Sequence, residues 1–172
     1  MKLGALAEAI EEAAALEWGP REFQKWVRIE QGAETFRVKL FQFFDAGESQ
    51  LPIRYEAFVD HVARILERSG AAVEVIGYAD LSEELSSSGY SSTWELSLAR
   101  AKGVVKHWLE RVPALAPRVV ISAHGVNGPL SREKTPEGRA LNRRLEWVIR
   151  PSRKGDQTST SGAAVGAFFA GS

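Results

Sequence analysis

Three charged residues are set where they could do chemistry: Asp80, closing "GYAD" at 77–80; Arg100, in "LSLARA" at 96–101; and Arg143, in "NRRLEWVIR" at 142–150. Asp80 ends a predicted strand, and ligands of open α/β sheets gather outside the carboxyl ends of strands. Arg100 falls about two turns into the helix predicted next. A guanidinium and a carboxylate at one rim complement both poles of a free amino-acid end. The guanidinium forks onto the carboxylate, and the aspartate takes the ammonium. Each residue also has a plain structural use. A strand-end Asp makes turns, and a helical Arg usually lies on a solvated face.

Other chemistries are poorly supplied. His61, His107 and His124 lie far apart, without metal-ligand spacing, so no metal or cofactor is expected. His61 and His107 fit helix surfaces. Ser122 and His124 lack a nucleophile elbow. "GVNGP" at 125–129 lacks the Gly-Lys-Ser/Thr ending of a phosphate loop. Glu83 and Glu84 read as a solvated loop pair rather than catalytic carboxylates, and no enzyme activity is expected. There is no cysteine, hence no disulfide or thiolate. Lys plus Arg number 22 and Asp plus Glu 22, so no net field draws the chain to nucleic acid or an anionic membrane.

The elements that must position these residues follow from pattern. An Ala/Glu-rich helix is predicted over 3–17, with Leu3, Leu6, Ile10 and Ala14 on one face, closed by "WGP". "FQKWVRIEQ" and "TFRVKLFQF" alternate around Gly32 as a hairpin, with Phe36, Val38 and Leu40 inward. Tyr55, Phe58, Val59, Val62, Ile65 and Leu66 keep helical spacing up to Ser69-Gly70. "AAVEVIGYA" is a strand, and "DLSEELSSSGYSS" a long polar loop. A helix from Ser92 or Thr93, either one a plausible N-cap, runs to about Val112. "RVVISAHG" at 118–125 is a strand. Residues 126–138 are a loop with a helical turn near its end, and "RRLEWVIR" is the last strand, with Leu145, Trp147 and Ile149 on one face. Trp108 and Trp147 fall in the core. This order predicts an α/β (α+β) sandwich, two helices packed on one face of a mixed sheet. The βαβ crossover should set the first two core strands parallel.

The same segments resemble the C-terminal OmpA-like domain shared by the lipoprotein Pal and the stator protein MotB. Gly77-Tyr78-Ala79-Asp80 stands where the family has "GHTD". Leu96, Ser97, Arg100, Ala101 and Val104 match its "N..LS..RA..V" helix. Glu137, Gly138, Arg139, Asn142, Arg143, Arg144 and Glu146 match "EGR..NRRVE", and "FFDAGESQL" at 43–51 matches "F..GS..L". The resemblance covers about 35–150. It implies a βαβαββ core (35–150); beside it, pattern and composition give an N-terminal helix and hairpin extension (1–34) and a low-complexity tail (151–172) expected to be disordered.

The family binds peptidoglycan without covalent chemistry. Carried over by position, Asp80 would hold the ammonium of a diaminopimelate-type zwitterion and Arg100 its carboxylate. Arg143 would stand at the same pocket, and the backbone near Gly47 would lend amides. Arg144 would point elsewhere and pair structurally. Ala79 replaces a Thr and so lacks its hydroxyl. Thr93 replaces an Asn, able to cap but not to offer an amide. The Asp80–Arg100 loop is longer than the pattern and serine-rich.

The expected function is therefore a non-covalent anchor on the peptidoglycan stem peptide, tethering an envelope, secretion or stator-type assembly. The alternative is a protein-interaction scaffold in a larger, possibly cytoplasmic assembly with wall binding weakened or lost. The stripe of helix 3–17 could serve a homodimer. The resemblance implies a periplasmic or cell-envelope location. Glu8, Glu11 and Glu12 interrupt any signal-peptide core, and no run approaches the roughly 20 apolar residues of a membrane span.

Overall fold

In the computed structural model, residues 1–83, 85 and 89–153 are described. The predicted tail lies outside them from residue 154 onward, as do Glu84 and residues 86–88 of the serine-rich loop.

Helix α1 (Leu3–Trp18) and a 3-10 turn (Glu22–Lys25) precede strands β1 (Val27–Gln31) and β2 (Phe36–Leu40). Helix α2 (Ile53–Ser69) leads to β3 (Ala72–Gly77), and α3 (Thr93–Arg111), with a second 3-10 turn, to β4 (Val119–Ala123). The short α4 (Pro136–Asn142) precedes β5 (Leu145–Arg150). Gly70, with φ +69°, ends α2 in the left-handed conformation, its N–H bonding to the Leu66 carbonyl at 3.1 Å. Ser92 caps α3 by accepting from the Glu95 N–H.

The five strands lie in the order β1-β2-β5-β3-β4. The hairpin pairs Val27 with Leu40 and Gln31 with Phe36. β5 is antiparallel to both β2 and β3, so those two run the same way with β5 between them, and β3 pairs β4 in parallel. Parallel direction is as expected; direct adjacency exists only for β3 and β4.

Register aligns Ile29, Val38, Trp147, Val75 and Ile121 in one row across the sheet. On that row Trp147 stacks with Phe58 of α2 at 5.9 Å and meets Trp108 of α3 at 5.0 Å, so both helices cover the same face. The opposite face is polar. Glu146, buried, receives Arg37 at 3.5 Å and Arg144 at 3.2 Å.

The 1–34 segment is continuous with the core. Leu6, Ile10 and Ala14 are fully buried and Val27 joins the same cluster, with α1 lying on α2. The apolar stripe of α1 is thus covered by α2 of the same chain. Among the described residues, no helix is long and apolar enough to cross a membrane.

Candidate functional site

The site begins with a glycine. A Cβ on Gly77 would lie 1.8 Å from the Ser97 carbonyl oxygen, so only glycine lets α3 press this closely on the end of β3. Ser97 fixes the contact from the helix side, its hydroxyl accepting from the Gly125 N–H at 3.0 Å. The exits of β3 and β4 are then joined by His124 N–H to Gly77 O (3.0 Å) and Ala79 N–H to Gly125 O (2.8 Å). One turn beyond Ser97, Arg100 is carried beneath the 78–83 segment.

Arg100 is completely buried, and every N–H of its guanidinium is used. Nε donates to Glu48 O at 2.8 Å, one terminal nitrogen to Tyr78 O at 3.1 Å, and the other to Asp45 O at 3.2 Å. The remaining two N–H groups fork onto the carboxylate of Glu83, at 2.8 Å to Oε2 and closely to Oε1. Phe44 lies under the guanidinium, 4.8 Å from ring centroid to Cζ. Two backbone amides complete the carboxylate's surroundings: Gly47 N–H to Oε1 (2.9 Å) and Asp80 N–H to Oε2 (2.8 Å). Gly47, with φ +74°, is in the left-handed region.

This is a carboxylate cradle built from three segments, and Glu83 fills it. The expectation of Glu83 as a solvated loop residue is corrected: its side chain has no exposed surface. Its burial is offset by four hydrogen-bond donors, two of them from the Arg100 guanidinium, the arrangement that a buried carboxylate requires. Arg100, a residue type that usually lies on a solvated helix face, is here completely buried.

Asp80 presents its side chain on the other side of the same backbone. Oδ1 accepts from the Asn142 amide at 2.7 Å; Oδ2 accepts from the Ser82 N–H at 2.9 Å and closely from its hydroxyl. Burial alone would raise its pKa. The Ser82 hydroxyl, the Asn142 amide, the Ser82 N–H and the Arg143 charge outweigh burial and hold it below the ordinary 3.8. Arg143 is tethered by Nε to Phe44 O at 3.1 Å. Asn142 also accepts from the N–H groups of Leu130 and Ser131, so α4 and the 126–135 loop are pinned to Asp80.

Asp80 lines a cleft of about 540 Å³ with Ser82, Ser131, Lys134, Arg139 and Asn142. Ala79 is at its wall, its N–H spent on Gly125. Thr93 is not among the cleft's lining residues; its hydroxyl faces Gly125, and Ser92 rather than Thr93 caps the helix. Of the six anticipated residues, Arg100, Gly47 and the Asp80 backbone meet around one carboxylate, while the Asp80 side chain and Ala79 meet at the cleft. Arg143 stands beside Asp80 through its charge.

Two contributors were missed. Glu83 was hidden in a serine-rich loop, and its sole cue is its position three residues after Asp80. Asn142 was legible as part of the "NRR" segment but had no assigned role. Arg144 does pair structurally: its guanidinium lies 3.7 Å over the Tyr78 ring and bonds Glu146. Burial, followed by a hydrogen bond to Glu146, pushes the Tyr78 phenol up to about 12. His107 is half-buried rather than a free surface group, bonding Asp60 at 2.6 Å. Among the described residues no cluster of His, Cys, Asp and Glu could hold a metal.

Residues 43–143, the span containing the cradle and cleft, match the OmpA family. The chain belongs to the OmpA family. Its members are structural binding domains, not enzymes. An uncharacterized protein, YtxE of Bacillus subtilis, is 32% identical over 110 residues, covering 64% of this chain and 45% of that protein. Curated relatives are thus matched over less than half their length. Among solved structures, the cell wall anchor of the T6SS from Pseudomonas aeruginosa has a TM-score of 0.68 at 22% identity, covering 81% of this chain and 97% of that one. The periplasmic domain of Helicobacter pylori MotB has a TM-score of 0.64 at 20% identity, covering 75% and 82%. At these identities they share the fold.

Proposed function

We propose that this chain is a non-covalent peptidoglycan-binding module that recognises a diaminopimelate-type zwitterion of the stem peptide. Asp80 takes the ammonium, the Arg100 cradle with the Gly47 and Asp80 amides takes the carboxylate, and Arg143 sets the field at the aspartate. Thr93 and Ala79 border this region without a polar contact to the ligand. The observation that carries this reading is the cradle itself: a guanidinium fork and two amides converge on one carboxylate, with a second, ionised carboxylate at the adjacent cleft. Family membership and the anchors named among its structural neighbours support the same ligand class. The module would work in the cell envelope and tether an assembly of secretion or stator type.

Co-sedimentation with purified sacculi tests it. Wild-type protein is expected in the pellet and Asp80→Ala in the supernatant. Wild-type protein left in the supernatant overturns the proposal. That result would favour the second reading, a protein-interaction scaffold, which has one specific observation behind it: Glu83 already occupies the cradle.

A further inference from the structure

The Glu83 carboxylate is held by donors of the kind that a guest carboxylate would use. Arg100 forks onto it, and the Gly47 and Asp80 amides each take one oxygen. Glu83 follows Asp80 by three residues, its own N–H returning to the Asp80 carbonyl at 3.2 Å. It is therefore delivered at a very high local concentration compared with any free ligand.

We infer that Glu83 is a built-in competitor for the carboxylate half of the site and so determines its specificity. A guest carboxylate entering the cradle must exchange for that of Glu83. It breaks as many charge-assisted hydrogen bonds as it makes, so the wild-type chain gains little from a ligand's carboxylate. Discrimination then rests on the ammonium pole at Asp80 and on the cleft. With Glu83 gone, the same cradle becomes a true carboxylate receptor, because Arg100 would otherwise stay buried without a counter-charge. The inference depends on the proposed function only for the choice of diaminopimelate as probe.

The test is chemical rescue. Glu83→Ala should melt well below wild type in chloride and recover in acetate of equal ionic strength. Wild type should not respond to acetate. Neither should Glu83→Gln, whose carboxamide still fills the cradle. Calorimetry should give Glu83→Ala about tenfold or more tighter binding of meso-diaminopimelate than wild type, the effect of one charge-assisted hydrogen bond or more. If Glu83→Ala does not fold in chloride, folding in acetate is the expected result. Glu83→Asp, one methylene shorter, keeps a counter-charge near Arg100 and should also bind meso-diaminopimelate more tightly than wild type. No response of Glu83→Ala to acetate, or an equal response of all three proteins, overturns the inference, as does unchanged affinity in Glu83→Asp where wild type binds meso-diaminopimelate. Wild-type protein that ignores sacculi, while rescue succeeds, removes the proposed function and leaves this inference standing.

Discussion

The carboxylate of Glu83 sits in the guanidinium fork of Arg100, and neither side chain has exposed surface. Such a pair is tolerated because both partners are fully hydrogen-bonded by three chain segments: Asp45–Glu48, Tyr78–Glu83 and α3. It acts as the knot that ties the loop before α2 to the loop after β3.

Arg100→Lys should therefore be costly although it keeps the charge. An ammonium has three donors and no planar fork, so carbonyls of the 45–48 loop and one carboxylate oxygen lose partners. A loss of about 3 kcal/mol is expected, the range for breaking a buried pair. Urea unfolding measures it; a change within error would mean the fork is not what holds the loops.

Gly77→Ala should disrupt α3 docking more severely than a methyl's size suggests. The added carbon would overlap the Ser97 carbonyl at 1.8 Å, and that atom is backbone. Overpacking of this kind costs about 3 kcal/mol or more. Chemical shifts of Ser97, Arg100 and Gly125 should move together; a native spectrum with native stability contradicts the close approach.

Asp80 gives a pH signature whose sign is set by its partners. Its native pKa lies below 3.8, so the unfolded chain takes up the proton first as pH falls. Its contribution is complete above 3.8 and is lost as pH drops through the lower native value. Asp80→Asn should flatten this part of the stability–pH curve relative to wild type. Arg143→Ala should bring the Asp80 value back toward 3.8, read by carboxyl carbon resonances. A curve for Asp80→Asn parallel to wild type would refute the assignment.

Ile10→Ala should cost about 2–5 kcal/mol, as for a fully buried aliphatic side chain. Because α1 shares one cluster with α2 and β1, unfolding should remain a single transition. Two separate transitions would show instead that residues 1–34 unfold as an independent appendage.

Much of this was legible locally. Alternation at Phe36, Val38 and Leu40 and helical spacing from Tyr55 to Leu66 depend on neighbours a few residues away, and both elements were found. The motif positions of Arg100 and Gly47 located the cradle. What escaped was set by distant partners. Glu83 looks solvated beside Leu81 and Ser82, because its donors come from 36 residues upstream and 17 downstream. The Asn142–Asp80 bond spans 62 residues. The apolar face of α1 was visible, but nothing in its own pattern names α2 as its cover.

The position of β5 also makes it the bridge of the sheet. Among the described strands, the one inserted between β2 and β3 comes last in the chain. A nascent chain stopped before residue 145 holds two separate strand pairs with no bridge, and Phe58 and Trp108 face an empty slot where Trp147 belongs. Closing the sheet therefore needs pairings that span most of the described chain, which makes the complete core a late event in folding.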